Sequence, residues 1–106
     1  MPNLPTHVLV SATLKNALTA GVFMTIVHRG DPDRGTLYVK VDDRQGSVKL
    51  YQQIFDGTRQ GFVVHSEGDA VDAAIARTVD IDPDVWVIDV EDKEGRLWFD
   101  AALMTP

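Results

Sequence analysis

Apolar positions along this chain change their period several times, and each change marks an expected element. Between residues 6 and 20, Val10, Leu14, Ala17 and Leu18 form one narrow stripe at helical spacing, with Lys15, Asn16 and Thr19 on the wet side. Thr6 is placed to cap this helix, and Gly21 to stop it in the left-handed conformation that glycine enters without a Cβ penalty. Val22 to His28 then runs almost without a polar break and predicts a strand. A turn-rich stretch, Arg29-Gly30-Asp31-Pro32-Asp33-Arg34-Gly35, separates it from Thr36 to Val41, where Leu37, Val39 and Val41 alternate with Tyr38 and Lys40. That pattern predicts two strands joined as a hairpin.

Past a turn over 42–46, Val48, Leu50, Gln52 and Ile54 alternate with Lys49, Tyr51, Gln53 and Phe55, a third strand apolar on much of both faces. Asp56-Gly57-Thr58 predicts another turn, and Gly61 to His65 a short fourth strand. Short successive turns predict an antiparallel meander. Asp69 is placed to cap a second helix, whose Val71, Ala74, Ile75, Thr78 and Val79 make one apolar stripe. Pro83 disfavours helical geometry at Asp82 and ends it. Val85 to Val90 reads as a fifth strand buried around Trp86, Ile88 and Val90, with Asp89 and Glu91 facing the other way. Leu97 to Met104 is an apolar tail interrupted by Asp100. The expected class is α+β, a mostly antiparallel sheet of four to five strands with two helices packed on it, in the order α-β-β-β-β-α-β.

At 106 residues, two separate cores would each fall near the lower limit for independent folding, so one domain over 1–106 is expected. No linker, repeat or low-complexity segment divides the chain. There is no cysteine, which removes disulfides, thiolate metal sites and a cysteine nucleophile. Asn3, His7, Lys15 and Asn16 break the N-terminal hydrophobicity, unlike a signal peptide or a membrane span. A cytoplasmic address is the expectation that follows.

The net charge of −6 is unevenly spread. Residues 1–50 carry six bases and four acids, for +2, and residues 51–106 carry four bases and twelve acids, for −8. A phosphate-backbone binder concentrates basic charge on one face, so nucleic acid is not an expected partner. Anionic membrane surfaces are opposed for the same reason.

Charge also marks the segments that could carry chemistry. Asp31-Pro32-Asp33 and Asp82-Pro83-Asp84 each set two carboxylates across a proline, which could present oxygen ligands to a hard cation if the two turns met. The simpler reading is that aspartate opens each turn through its own side chain while proline presets φ. A calcium loop does not fit, because Gly35 comes one place early and a strand follows. Arg29-Gly30-Asp31 matches an adhesion tripeptide only by coincidence of common residues. Arg29 and Arg34, set around Asp31 and Asp33, could instead form a charged knuckle read by a partner, although conformational need alone explains the glycines. His28 and His65 each end a strand and would meet only if those strands were neighbours. No serine lies in a nucleophile elbow and no glycine cluster forms a phosphate cradle. Between Asp80 and Glu94, seven acids, including Asp82, Asp84, Asp89, Glu91 and Asp92, face the single base Lys93 around Trp86. Like charges at that density repel, so a fold that keeps them gains from a basic group, ion or partner opposite; a solvated edge that discourages aggregation is the competing explanation.

Three segments carry a family resemblance: Ser11-Ala12 with a basic Lys15, the Arg29 to Gly35 turn, and Asp82-Pro83-Asp84-Val85-Trp86-Val87-Ile88-Asp89-Val90-Glu91-Asp92. In them, over nearly its whole length, the chain resembles a family of small uncharacterised bacterial proteins, mainly alphaproteobacterial, known only as a domain of unknown function, with an RGDxDxG turn and a DPDxWVxxxED segment. Where that family is expected to show arginine the chain has Lys15, which lacks a bidentate guanidinium grip. The resemblance implies a compact bacterial domain and no activity. The function expected from the residues is a small non-catalytic protein-interaction module, taking a protein partner or self-associating as a homodimer, without a cofactor. Its candidate contact residues are Arg29, Asp31, Asp33, Arg34, Asp82, Asp84, Trp86, Asp89, Glu91 and Asp92. A dimer would set the basic first half of one protomer against the acidic segment of the other, with Leu97, Trp98, Phe99, Leu103 and Met104 adding buried contact. The alternative is a small divalent-metal-assisted enzyme using Asp31, Asp33, Asp82 and Asp84 as ligands and Glu91 as a base.

Overall fold

Runs of β-branched and aromatic residues form strands here because their side chains pack well on a pleated surface, and five such runs make one sheet. The computed structural model describes residues 4–55 and 60–99. Its elements are α1 (Thr6–Thr19), β1 (Phe23–His28), β2 (Leu37–Asp42), β3 (Val48–Phe55), β4 (Gln60–Glu67), a single 3₁₀ turn (Gly68–Ala70), α2 (Val71–Ile81) and β5 (Trp86–Glu91). This is the expected order. The Asp56-Gly57-Thr58 turn lies outside the described residues. Among the described residues no helix is long and apolar enough to cross a membrane.

The sheet is mixed, not a simple antiparallel meander. Its strand order is β1-β5-β2-β3-β4, with β5 antiparallel to β1 and parallel to β2. The expected β1–β2 hairpin is therefore opened and β5 inserted between its arms. Burial explains the insertion: Trp86, Val87, Ile88 and Val90 are at most 1% exposed, a strand apolar on both faces that needs a neighbour on each side. The connection over 29–36 is long enough to bridge the two strand spacings, roughly 10 Å, that this requires.

Each face of the sheet carries one helix. On one side Leu9, Val10 and Ala17 of α1 pack on Met24, Leu37, Val39, Val41, Trp86, Ile88 and Val90, with Phe99 of the tail buried among them. On the other, Val71 and Ala74 of α2 pack on Tyr38, Leu50, Val85 and Val87, with Ile75 and Val79 partly buried alongside. The α1 stripe is rotated from the expected one: Thr6, Leu9, Val10, Thr13 and Ala17 are buried, whereas Leu18 is 57% exposed. Leu97, Trp98 and Phe99 pack against the chain's own core, and Leu103 and Met104 lie outside the described residues.

Two expected caps differ as well. Thr6 is the first helical residue, and its hydroxyl donates to the Gly35 carbonyl at 3.1 Å. Asp69 lies in the 3₁₀ turn, and no side chain caps α2. Gly21 does stop α1, at φ 79°.

Candidate functional site

Both Asp-Pro-Asp turns come together at one end of the sheet, and they are joined through backbone. The Asp31 N–H donates to the Asp84 carbonyl at 2.9 Å. Within each turn the first aspartate spends its carboxylate locally: Asp31 Oδ1 accepts the amides of Asp33 (2.8 Å) and Arg34 (3.1 Å), and Asp82 Oδ1 accepts that of Asp84 (3.1 Å). These amide bonds, Arg34 first, hold the Asp31 carboxyl below its ordinary range. Asp33, Arg34, Asp82 and Asp84 are exposed.

Trp86 is the post on which this junction stands. It is 1% exposed, and its indole N–H donates to the Asp31 carbonyl at 2.6 Å. The Arg29 guanidinium lies 5.4 Å from the Trp86 ring centroid, in cation–π range. Trp86 therefore positions the turn, while Arg29 and the outer carboxylates form its surface. Gly30 and Gly35 are required by close approach, not by unusual backbone angles: neither has positive φ, and a Cβ on either would overlap the Asp84 carbonyl oxygen. At Gly35 it would also press on Trp86. With Gly30 packed on the 84–85 backbone and the Asp31 carboxylate turned to its own amides, Arg29-Gly30-Asp31 is not presented as a free tripeptide.

α1 closes the junction from its N-terminus. The first amides of a helix have no intrahelical partner, and here Thr6 N–H donates to the Asp33 carbonyl (3.2 Å) and His7 N–H to the Pro32 carbonyl (2.9 Å). Opposite, His28 Nδ1 lies 2.9 Å from the Val85 carbonyl. Sequence reasoning left Thr6 and His7 out of this neighbourhood, because backbone capping by a distant loop has no side-chain signature.

The carboxylates of β5 and of Asp92 just after it divide between two surroundings. Asp92 is 4% exposed and accepts from Arg96 Nε (2.7 Å), Trp98 Nε1 (2.8 Å) and the Glu94 amide (3.0 Å). Arg96, then the Glu94 amide and the Trp98 indole, outweigh burial and hold it down at about 2. The Arg96 guanidinium also stacks 4.7 Å from the Trp98 ring centroid. Asp92 thus clasps the tail into its own chain. Arg96, four residues on, was the available clue.

Asp89 and Glu91 face the α2 side, as expected from the alternation. Register sets Asp89 between Lys40 of β2 and Thr25 of β1, and Glu91 between Asp42 and Phe23. Lys40 Nζ is committed to Asp72 of α2 at 3.0 Å, which raises its pKa, and Arg44 is paired with Glu91. The Asp89 carboxylate accepts no hydrogen bond among the described residues; burial pushes its pKa up, against the opposing pull of Lys40. Basic residues of the first half are thus matched to acids of the second half inside one chain.

Among the described residues these side chains do not converge on one catalytic centre. Among the described residues no three His, Asp or Glu side chains are grouped as metal ligands. His28 and His65 lie on opposite edge strands, and His65 packs edge-on against Tyr38 at 5.8 Å. Two open clefts, of about 240 Å³ beside Lys49 and Tyr51 and about 410 Å³ beside Phe23, Glu91 and Arg96, mix both signs of charge without assembling a nucleophile and base.

Similarity to known proteins agrees with the fold. A crystal structure of a DUF1491 family protein from Caulobacter crescentus CB15 is 31% identical, with a TM-score of 0.83 over 92% of this chain and 96% of that one. An NMR structure of a DUF1491 family protein from the same organism is 32% identical, with a TM-score of 0.80 over 96% and 97%. The solution structure of protein Atu0922 from A. tumefaciens shares the fold at 22% identity, with a TM-score of 0.75 over 98% of each chain. No curated protein matches. The model of the family described as "Protein of unknown function (DUF1491)" matches residues 4–100, so the chain belongs to the DUF1491 family.

Proposed function

We propose that the protein is a small non-catalytic interaction module of the cytoplasm, which presents the exposed carboxylates of the 80–94 segment and the Arg29–Arg34 turn to a protein partner. One observation carries this reading: two exposed charged turns are locked to each other and to a buried tryptophan by the Asp31–Asp84 and Trp86–Asp31 hydrogen bonds. A rigidly held surface loses little conformational entropy on binding, which is what recognition rewards. Catalysis by clustered aspartates is less well supported, because Asp31 and Asp82 spend their carboxylates on their own turns. Self-association draws less support than a different partner, since Lys40 and Arg44 already have acidic partners within the chain.

Photo-crosslinking residues placed at Arg34 and Asp84 in native cells test the reading, with Asn16 on the exposed side of α1 as control. Discrete adducts with one protein are expected from the first two positions and none from the third. Absence of adducts from both turns would overturn it. Light scattering after size exclusion addresses the dimer: a monomer at high concentration in both low and high salt removes self-association.

A further inference from the structure

On the α2 side the sheet is wider than the helix that covers it. Five strands span roughly 20 Å, and one helix covers about 10 Å. α2 packs on Tyr38, Leu50 and Val87, toward the β3 and β4 half. Beyond it, edge strand β1 leaves Phe23 and Val27 half exposed, at 53% and 51%, with Thr25 exposed between them. Ile81, the last residue of α2, is 82% exposed. On the β1 side of α2 the described residues place no element over this face.

The chemistry of this strip selects its occupant. Val27 stands at the register shift between Ile26 and His28, so its distance from Phe23 along the strand is shortened from about 13 Å toward the roughly 11 Å rise of two helical turns, and apolar side chains at i and i+7 of a helix would meet both. Register places Glu91 beside Phe23 and Asp89 beside Thr25, and Asp89 has no hydrogen-bond donor of its own among the described residues. A cation lowered onto the strip would pair with the Asp89 carboxylate and relieve the charge. Glu91 is paired with Arg44, but Asp89 is surrounded by Glu91, Asp42 and Asp72 against Lys40 alone, so two copies stacked through the same face would bring like charges together in chains that each carry −6. Anionic lipid is opposed likewise.

We propose that this open strip, floored by Phe23, Thr25, Val27, Asp89 and Glu91 and walled by α2, docks a basic amphipathic helix of a partner protein. The inference rests on the interaction-module reading, to which it adds a second surface beyond the Arg29–Arg34 turn and the chemistry of the partner. The docked helix lies along β1 and β5, its apolar ridge on Phe23 and Val27 and a lysine or arginine on Asp89, a helix-in-groove mode read by periodic anchors.

An NMR titration of the full chain, labelled with ¹⁵N, tests it. The probe is an 18-residue peptide of leucine and lysine at helical spacing, and the control is the same peptide with glutamate for lysine. Saturable shifts of the Phe23, Thr25, Val27 and Asp89 amides are expected with the lysine peptide and none with the control. Asp89→Asn and Phe23→Ser should each weaken binding about fivefold or more while leaving the spectrum elsewhere unchanged; Asp89→Asn serves alone if Phe23→Ser perturbs the fold. Unchanged affinity in Asp89→Asn, equal binding of the glutamate peptide, or no saturable shifts would overturn the proposal. Shifts centred on residues 29–35 and 82–84 would also overturn it, while leaving the interaction-module reading in place. Failure of that reading shows separately, as loss of the crosslinks from Arg34 and Asp84.

Discussion

The ends of β5 and the face between them handle aspartate in opposite ways. Around Trp86 and around Asp92, polar groups are paired: carboxylates accept from backbone amides, from Arg96 or from an indole, and buried carbonyls receive indole or backbone donors. On the strip between β1 and α2, the Asp89 carboxylate lacks a hydrogen bond among the described residues and Phe23 and Val27 stand half in solvent. Polar groups that are buried and paired stabilise a fold, and groups that are half-buried and unpaired cost it something. The paired groups of these closed regions therefore hold the fold while the open strip is not committed to it, and substitutions on the two sides should differ in size and in sign.

The largest effect is expected where backbone meets backbone. Gly30→Ala drives a methyl group into the Asp84 and Val85 carbonyls, atoms with no rotamer to yield. Forced overpacking of this kind costs about 3 kcal/mol, a fall in Tm on the order of 15 °C. Thermal denaturation followed by circular dichroism reads it directly. A loss below about 1 kcal/mol would show that the two turns separate easily, and the closed region would lose its rigidity.

Next comes the clasp at Asp92. Asp92→Asn keeps the shape but removes the charge from Arg96 and mismatches an acceptor set serving three donors, for a cost of about 2 kcal/mol. Its pH signature has a definite sign. The folded protein holds this carboxyl down at about 2, below its ordinary 3.8. The stabilisation is therefore complete above about pH 4 and is lost as pH falls toward 2, where the folded state is protonated as well. Urea melts between pH 5 and 2 should show the wild type losing stability more steeply than Asp92→Asn.

Trp86→Phe is a smaller change in the same closed region. It deletes the donor to the Asp31 carbonyl and weakens the stacking of Arg29 while keeping most of the apolar volume. The expected loss is about 1.5 kcal/mol. Amide exchange should quicken over residues 31–35 before it does so in β5, since the turn leans on the indole and the strand does not. Uniform quickening would mean that Trp86 acts as general core filling only.

How much of this contrast could be read from residues alone depended on how local its cause was. Strand β3 emerged at its sequence-predicted limits, and Gly21 as a helix stop, because alternation and left-handed backbone are properties of a few neighbouring residues. The Val85 to Val90 run was legible as buried, but not its insertion between β1 and β2, which is decided by competition among strands for the central place. The α1 stripe was displaced toward Leu9 and Thr13 because the helix is set by docking of its N-terminus on the Pro32 and Asp33 carbonyls. The same limit separated the aspartates. Asp89, Glu91 and Asp92 read as one acidic run, yet Asp92 turns to Arg96 and Trp98, Glu91 to Arg44, and Asp89 to an open face. Charge along a chain gives the density of carboxylates and says nothing of their partners.

Asp89 gives the smallest expected effect and the sharpest test, because its sign is reversed. Burial raises its carboxyl pKa, with Lys40 pulling the other way and Glu91, Asp42 and Asp72 adding to the rise. An acid whose pKa is raised by folding destabilises the native state while ionised, and the penalty disappears as pH falls through the raised value. Asp89→Asn removes it at every pH and should stabilise the protein by a few tenths of a kcal/mol near neutrality, roughly 1 to 3 °C in Tm. Below the ordinary carboxylate range the advantage should vanish. Lys40 loses one of its acidic neighbours but keeps Asp72, so its own position is held. Paired melts of Asp89→Asn and Asp92→Asn in one buffer series decide the matter: gain in the first and loss in the second fit a carboxylate kept for recognition beside one kept for folding. If Asp89→Asn instead lost 1 kcal/mol or more, Asp89 would be a structural partner of Lys40, and the boundary between closed and open regions would have to move to the far side of β1.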